Sequence, residues 1–552
     1  MSKKNVFVVL LSMLFGSLLL SACGGEADTS ETDQLDEVEQ VLNLALAGEP
    51  ESLDVAKGSD NNSAQVLMRV MEPLTRLEVN EEGETVVVPG AAKSWEVCDD
   101  GLEWTFHLRD AKWSDGEPLV AEHFEYGIKR ILNPETASPN STLLNPIKNA
   151  SKVSRGELAV EKAGVEATDD KTLKITLEDP VPYFLSLTTG RAIIPQREDI
   201  IEKYGSSYGT QADKIVYCGP FKVDEWVHNS SVTLSKNEKY WDNESVNLEE
   251  VNLKIINEES ALMGELQNGN IDIATAGSIE WIEQLDEHDS LKSSTQLIPR
   301  TSYVFMNHEI ELFSNRKVRQ AFSIALDREE IQDNIHDGIK EAAYGWVAPP
   351  VDIEEGVSFR DQVGTAPLKE LIDENNDPKA LFEEGLEELG KDPNDITVTI
   401  MLPSGQGEDF AEYLQQVFSE ELGITVELDP AEWPVFQERN RELDYEMGFK
   451  SWGSHYNDPA GFLDLWLSDN DTVPIGWACS DYDELVLEAA VSMCEEERLE
   501  KFKEAEKYLL KEESAMIPYA YHTENLYKHE YVKGVMQPDF GMLTIRNAYI
   551  EK

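Results

Sequence analysis

A stretch near the end of the chain, Ser451 to Trp466, has the residue types of a binding surface. It reads SWGSHYNDPAGFLDLW, in which aromatic residues alternate with small and turn-forming ones. Small residues let the main chain of a ligand approach the protein backbone, and flat aromatic side chains wall a pocket at low cost in conformational entropy. Asn457, Asp458 and Pro459 form a turn signal, because proline biases the residue before it towards an extended conformation. The stretch therefore indicates ligand binding, and a surface loop with a few core aromatics is the alternative.

Few signatures of catalysis are found in the sequence. It contains no H-E-x-x-H, P-loop or C-x-x-C motif, and its nine histidines show no metal-ligand spacing among themselves. Catalytic triads are assembled in space and not along the chain, so these absences alone do not exclude an enzyme. We predict that the protein is not an enzyme and holds no cofactor and no metal.

The composition is that of a globular and strongly acidic chain. It has 552 residues, of which 41% are hydrophobic, and a formal net charge of -60. A chain of this length does not fold around one core, so we expect two or more lobes. The charge opposes binding to nucleic acid and to anionic lipid. A solvated acidic face or a saline habitat explains it, and weak attraction of cationic ligands is the alternative.

The N-terminus has the pattern of an export signal. Lys3 and Lys4 precede the apolar run Val6–Leu20, which is too short and wrongly flanked for a membrane span. The run ends in Leu-Ser-Ala-Cys, which resembles a bacterial lipobox. We therefore predict a lipoprotein signal peptide over residues 1–22 and lipidation of Cys23, with cleavage at a plain secretory site as the alternative.

The residues after the signal are small, polar and acidic. This composition cannot bury a core, so residues 23–40 are predicted to be a disordered tether. A lipid on such a tether would anchor the protein to the cell membrane on its extracytoplasmic side, with the folded part in water.

Hydrophobic periodicity predicts the elements of the folded part. Alternating apolar residues predict strands over 41–46 and 104–108, and helices are predicted over 64–72 and 121–131. In the sequence FSNRKVRQAFSIALD, Ser314 has the residue type of an N-cap for the helix that follows. The folded part is thus predicted to mix strands and helices.

The later part of the chain has a βαβ period. Alternating apolar residues predict strands over 396–402 and 424–428 with a helix over 408–422 between them. A short crossover of this kind makes a parallel pair with a right-handed connection. The stretch 451–466 follows another predicted strand, 443–450. Ligands of open α/β lobes lie beyond the carboxyl ends of strands, so this placement supports a binding site there.

Several motifs resemble one family of proteins. The segment AAKSWEVCDDGLEWTFHLRDAKWSDGEP, which begins at Ala91, closely resembles the hallmark of the extracellular solute-binding proteins of the peptide and nickel class. The resemblance continues through NEKYWD at 237–242 and FSNRKVRQAFSIALD at 313–327, and it covers the chain from about Val41 to the C-terminus. The stretch 451–466 is similar to a cleft loop of the peptide importers' binding proteins, with the pattern W-x-x-D-Y-x-[DE]-P-x-x-F. Five residues match that pattern, namely Trp452, Tyr456, Asp458, Pro459 and Phe462.

The resemblance implies an α/β fold, a two-lobed periplasmic-binding-protein clamshell (type II, cluster C) with an extra subdomain. Lobe I is expected from 41–76, 211–302 and 521–552, the extra subdomain from 77–210, and lobe II from 303–520. The chain would then cross between the lobes twice. A ligand that bridges both lobes would close the clamshell.

The function implied is capture of oligopeptides outside the cell and their delivery to the permease subunits of an ABC importer, by a monomer that makes and breaks no bond. Main-chain hydrogen bonds suit such capture, because they give affinity that does not depend on sequence. The resemblance places seven residues in the cleft: Tyr303, Trp433, Trp452, Gly453, His455, Tyr521 and His522. Trp433 and Trp452 would wall side-chain pockets, and the backbone of 451–455 would pair with the peptide. Core packing is the alternative for each aromatic residue.

One position departs from the family pattern. His455 stands where the pattern has an acidic residue, which in the resembling proteins pairs with the peptide's α-ammonium. A neutral imidazole supplies no countercharge, and a protonated one repels the ammonium. Either another carboxylate binds the amine, of which Asp458 is nearest in sequence, or the protein prefers ligands without a free amine at that place. The sequence favours a weak dependence of affinity on that amine.

Three further questions stay open at this stage. A receptor for a peptide pheromone has the same fold, and a non-peptide ligand such as an oligosaccharide also fits the loss of the acidic residue. Four cysteines follow Cys23 and allow three full disulfide pairings, between which the sequence does not choose. They are Cys98, Cys218, Cys479 and Cys494.

Overall fold

The computed structural model describes residues 38–80, 83–454, 456–470 and 472–551, without the side chain at position 394. The predicted signal peptide, Cys23 and most of the predicted tether lie outside these residues, as does His455. From Glu39 onwards the chain forms one compact unit. Within the described residues, no helix has the length and apolar character needed to span a membrane.

Strands make up six sheets in this part of the chain. In chain order the strands are β1 (Val41–Leu46), β2 (Thr75–Val79), β3 (Thr85–Pro89), β4 (Ala92–Val97), β5 (Glu103–Leu108), β6 (Val165–Asp169), β7 (Thr172–Thr176), β8 (Phe221–Val227), β9 (Ser231–Lys236), β10 (Glu250–Ile255), β11 (Ile273–Ala276), β12 (Leu291–Met306), β13 (Glu341–Ala342), β14 (Asp352–Glu354), β15 (Val357–Ser358), β16 (Thr397–Pro403), β17 (Thr425–Ala431), β18 (Met447–Gly453), β19 (Met516–His529), β20 (Val532–Lys533) and β21 (Tyr549–Ile550).

Helices cover the sheets and fill the connections. They are α1 (Asn61–Val70), α2 (Ala121–Leu132), α3 (Ala150–Ser154), α4 (Phe184–Leu187), α5 (Glu198–Tyr204), α6 (Glu259–Gln267), α7 (Ile279–Asp286), α8 (Glu311–Ser314), α9 (Arg316–Ala325), α10 (Arg328–Glu330), α11 (Phe359–Val363), α12 (Pro367–Glu374), α13 (Pro378–Leu389), α14 (Glu408–Leu422), α15 (Trp433–Arg441), α16 (Ala460–Leu463), α17 (Ser480–Val491) and α18 (Glu495–Lys507).

The largest sheet has the order β11-β19-β12-β18-β16-β17, with β13 added beside β19. Successive side chains of β12 enter two different cores: Tyr303 and Phe305 pack in one, and Val304 and Met306 in the other. A strand sends alternate side chains to opposite faces. The sheet is therefore buried on both sides at this place.

Two smaller sheets are built from strands that precede those of the largest sheet in the chain. The first has the order β1-β10-β9-β8, in which β1 is parallel to β10, and the second has the order β4-β5-β7-β6 with antiparallel neighbours. The predicted boundaries of lobe II, at 302–303 and 520–521, fall inside the long antiparallel pair β12 and β19. The register of this pair shifts between Leu297 and Thr301 and again between Ser302 and Tyr303. The lobe boundaries stay predictions.

Most predicted elements are confirmed, and the predicted βαβ unit is present. β16 and β17 are parallel neighbours joined through α14. The helix predicted over 64–72 begins earlier, at Asn61, because the Asp60 carboxylate accepts a hydrogen bond of 2.8 Å from the backbone N–H of Ser63.

Two details of the prediction are wrong. Ser314 does not cap the helix that follows it; Asn315 does, since its Oδ1 accepts from the backbone N–H of Lys317 at 2.9 Å. The strand predicted over 443–450 runs from Met447 to Gly453, because β12 pairs with its residues up to Gly453. The first three residues of the stretch 451–466 thus belong to a strand and not to the loop after it.

Candidate functional site

A cavity of about 1350 Å³ opens between parts of the chain that are far apart in sequence. One wall comes from α1 and the residues around it, a second from residues 139–146 and 182–192, and a third from 352–355, 456–464 and 493–498, with residues 538–546 between them. In the predicted domain scheme these walls belong to lobe I, the extra subdomain and lobe II. The volume is larger than the roughly 300–1,000 Å³ of pockets that bury a drug-sized ligand.

A pair of stacked tyrosines joins two of these walls. The rings of Tyr183 and Tyr456 lie 4.4 Å apart between centroids and are inclined by only 4°. Tyr183 precedes α4 and Tyr456 lies in the loop after β18, and both line the cavity. Stacked aromatic rings provide a flat apolar surface with polar ends. Both rings of this stack are thus part of the cavity's lining.

The loop that carries Tyr456 is held in place by hydrogen bonds to β14. The Asn457 side chain donates to the Asp352 carboxylate at 2.8 Å and accepts from the Asp352 backbone N–H at 2.7 Å. The Trp452 Nε1 donates to the carbonyl of Gly461 at 2.9 Å. At Gly461 a Cβ would overlap the hydroxyl oxygen of Ser454, so a larger residue there would force that hydroxyl to move. The small residues of the stretch thus serve the loop's own packing as well.

A buried ion pair lies at the base of the same loop. The Arg498 Nη2 on α18 donates to Asp458 at 2.5 Å, and both side chains are almost fully buried. Asp458 also accepts from the backbone N–H of Ala460 at 3.0 Å, which fixes the turn before α16. Burial raises the pKa of Asp458, and the Arg498 charge opposes that rise. Arg498 therefore stabilises the ionised form of the buried Asp458 carboxylate.

Asp464, directly after α16, differs from Asp458 in having no such partner. Its Oδ1 is buried, and no described residue donates a hydrogen bond to it. Burial raises the pKa of Asp464 to about 7, and the Asp458 charge adds to the rise. The residue lines the cavity.

The wall around α1 carries guanidinium groups. Arg69 on α1 is buried, its Nε has no hydrogen-bond partner among the described residues, and burial lowers its pKa to about 10. Arg191 lies on the turn that α1 contacts, and burial lowers its pKa as well. Glu72 lies nearby and accepts from Tyr240 at 2.9 Å and from Trp241 at 3.2 Å. This wall suits an anionic group of a ligand.

The structure brings three of the predicted cleft residues to one face of the largest sheet. Trp452 and Tyr521 lie on either side of Thr301 in the register of β18, β12 and β19. Tyr303 is fully buried on the same face, and its hydroxyl has no partner among the described residues. The Tyr521 hydroxyl donates to the carbonyl of Gly345 at 3.0 Å. All three pack against the core that holds Trp346.

The other predicted residues lie apart from that face. His522 is hydrogen-bonded to Ser302 at 2.7 Å, and its pKa is lowered to about 2 by burial and then by Lys340 and Arg300. Gly453 of β18 pairs with Arg300 of the neighbouring strand β12. Trp433 begins α15, is 49% exposed and stacks on Phe436.

Six of the seven predicted cleft residues are described by the structure, and none of these six lines the large cavity. The seventh, His455, lies outside the described residues. The same stretch 451–466 contributes Tyr456, Asn457, Asp458 and Asp464 to that lining instead. Direct ligand contact by the seven predicted residues stays a prediction. Sequence reasoning missed Tyr183, Arg69, Arg498 and Asp464, since only their spatial assembly marks them.

The described residues contain no group of three or more histidine, cysteine or carboxylate side chains that could hold a metal. Cys98, Cys218, Cys479 and Cys494 are free thiols. Burial raises the pKa of the Cys218 thiol well above its usual value. The structure therefore supports no disulfide among these four.

Comparisons with known proteins identify a family and related structures. The family model of bacterial extracellular solute-binding proteins, family 5 (middle region), matches residues 86–473. The oligopeptide-binding protein OppA of Bacillus subtilis (strain 168) is 31% identical over 567 residues, which cover 100% of both chains. The probable deoxycholate-binding periplasmic protein YgiS of Escherichia coli (strain K12) is 30% identical over 492 residues, which cover 88% of both chains. The solved structure of Listeria monocytogenes OppA bound to peptide superposes with a TM-score of 0.72 and 26% identity, over 94% of this chain and 100% of that one.

Proposed function

Since the chain belongs to family 5 of the bacterial extracellular solute-binding proteins, we propose that it captures oligopeptides in the large cavity and delivers them to the permease of an ABC importer. The fold is the two-lobed α/β clamshell of that family. A solute-binding protein needs an enclosed space and a way to close it, and it needs no reacting groups.

One observation carries this proposal. The cavity has walls from three distant parts of the chain, and the Tyr183–Tyr456 stack joins two of them. A ligand that contacts all walls stabilises the closed arrangement by its differential affinity for that state. Guanidinium groups on one wall and a carboxylate on another match the two charged ends of a peptide. We include the predicted cleft residues in the proposal, with the strand edge at 451–453 pairing with the peptide backbone.

Isothermal titration calorimetry tests this function. We expect short peptides to bind one-to-one with a Kd of about 1 μM or tighter, which corresponds to about -8 kcal/mol. Deoxycholate and a maltooligosaccharide serve as the comparison ligands. A bile-salt ligand is the second candidate, because one similar protein is named for deoxycholate. Heat from deoxycholate or from the sugar, with none from peptides, would show that the cargo is not a peptide.

The proposal includes a lipid anchor on Cys23. The lipobox sequence Leu-Ser-Ala-Cys and the polar residues after it support this placement. We expect Cys23→Ala to move the protein from the membrane fraction to the soluble fraction while peptide affinity stays unchanged, because the anchor precedes the folded unit. Fractionation followed by immunoblotting measures this, with Ser21→Thr as the matched variant that keeps the cysteine. Membrane retention of the Cys23→Ala protein would contradict lipidation at this residue.

A further inference from the structure

We propose that Asp464 receives a cationic group of the ligand, an ammonium that comes either from the peptide's amino end or from a lysine side chain. This inference rests on the proposed function and names the residue that recognises one end of the cargo. It begins from an unusual feature of the cavity wall: a carboxylate oxygen, Oδ1 of Asp464, that has no hydrogen-bond partner among the described residues.

Two acids of this wall, Asp458 and Asp464, differ in their hydrogen-bond partners. Asp458 is satisfied by Arg498 at 2.5 Å and by the backbone N–H of Ala460 at 3.0 Å. Asp464 has a buried Oδ1 without a partner among the described residues, and its side chain lines the cavity. A buried polar atom without a partner costs free energy, which a ligand group can recover. Asp458 thus stabilises the loop, whereas Asp464 is available to a ligand in the cavity.

The groups around Asp464 suit a cation. Tyr183 and Tyr456 stack on each other, and their hydroxyl groups lie close enough to Asp464 for its charge to raise their pKa values. The Tyr482 hydroxyl already donates to the carbonyl of Leu463 at 2.7 Å, so it does not satisfy the carboxylate. Arg498 is the nearby cation, and its Nη2 is engaged with Asp458. An incoming ammonium therefore meets a carboxylate whose Oδ1 has no partner among the described residues, beside two tyrosine hydroxyl groups.

This arrangement decides between the two explanations for His455. The sequence leaves open whether another carboxylate binds the amine or whether the ligand lacks a free amine at that place. Asp458, the nearest acid in sequence, is occupied by Arg498. Asp464 provides the alternative carboxylate, so we expect a free ammonium to matter for affinity, contrary to the weak dependence favoured by the sequence.

A pH dependence accompanies the ion pair. Burial raises the pKa of Asp464 to about 7, with a further contribution from Asp458. Below that pH the carboxyl group is protonated and neutral, so it must lose a proton before it pairs with an ammonium. The affinity for an amine ligand should therefore fall as the pH drops from 8 to 6, by at most about tenfold per pH unit. The charged and titratable groups that face Asp464 are Asp458, Arg498, Tyr183, Tyr456 and Tyr482.

The test uses Asp464→Asn, which keeps the shape of the side chain and removes its charge. Asp469→Asn is the matched control, because Asp469 is an exposed acid in the same segment. Calorimetry is carried out at pH 8 with three peptides: a lysine-free peptide with a free amine, its N-acetylated form, and an N-acetylated peptide that contains one lysine. A charge-assisted contact of about 1.5–3 kcal/mol predicts a loss of roughly tenfold to a hundredfold.

We expect Asp464→Asn to weaken the free-amine peptide at least tenfold and to leave the acetylated lysine-free peptide unchanged. If the lysine-containing peptide alone loses affinity, the ammonium comes from the side chain. Equal affinities of wild type and Asp464→Asn for all three peptides would overturn the proposal for Asp464 while leaving peptide capture intact. No binding of any peptide to the wild type would overturn the proposed function itself.

The pH profile separates binding from a structural role. For the wild type, affinity for the amine ligand should fall as the pH drops below about 7, and Asp464→Asn should remove this dependence. A mutant that folds normally and keeps the wild-type pH profile would contradict the assignment.

Discussion

The Glu506→Gln variant is expected to lose about 3–5 kcal/mol of unfolding free energy. Glu506 on α18 is fully buried, and its Oε1 accepts from the backbone N–H of Trp346 at 2.8 Å and of Val347 at 2.9 Å. Its carboxylate also binds the guanidinium of Arg360, with a bond of 2.9 Å from Nη1. Glutamine keeps the size but removes the charge, and it leaves the Arg360 cation buried without a countercharge.

Glu504→Gln on the same helix is the control for that variant. The Glu504 side chain is 54% exposed and lies 3.7 Å from Lys507, so its removal should cost less than about 1 kcal/mol. Urea unfolding followed by tryptophan fluorescence gives both free energies. A loss of less than about 1 kcal/mol for Glu506→Gln would show that this buried pair does not hold α18 to the segment after β13.

The second large effect is expected for Arg498→Met. This change leaves the Asp458 carboxylate buried without its partner at 2.5 Å, which costs about 3–5 kcal/mol of unfolding free energy. Because burial already raises the pKa of Asp458, loss of the Arg498 charge should raise it further. The variant should then become less unstable as the pH falls, since protonation removes the unpaired charge.

A double-mutant cycle measures this pair directly. Arg498→Met combined with Asp458→Asn should recover part of the loss, because no uncompensated charge remains. Lys501→Met on the same helix is the control, since the Lys501 ammonium forms its ion pairs with the partly exposed Glu488 and Glu497. If the double variant were less stable than the sum of the two single losses predicts, the charge-pair explanation would be wrong.

The elements of the fold were predictable where their signal is local. Alternating apolar residues mark β1 and β16, and the βαβ period of 396–428 is confirmed as a parallel pair. The limits of β18 were not predictable, because they depend on which β12 residues provide partners. Leu443 also has a positive φ of 55°, in the left-handed region, and no local sequence pattern predicts this conformation for a leucine. Strand ends are decided by pairing between distant segments.

The binding site was predictable only in part, for the same physical reason. The aromatic and turn residues of 451–466 indicate a ligand-binding loop. Tyr456 and Asp458 of this loop line the cavity. Asp464 is one of 107 acidic residues, so its residue type carries no information. What distinguishes Asp464 is a buried oxygen, Oδ1, that has no hydrogen-bond partner in the described part of the chain. That property arises only after Tyr183, Tyr456 and Arg498 have come together.

Native mass spectrometry of the purified protein with a mixture of short peptides tests the central claim most directly. We predict a complex of one protein chain and one peptide, from which collisional activation releases peptides of unchanged mass. The claim requires an enclosed cavity that binds cargo and does not transform it. Detection of only the unliganded chain at saturating peptide, or recovery of cleaved peptides, would contradict the account.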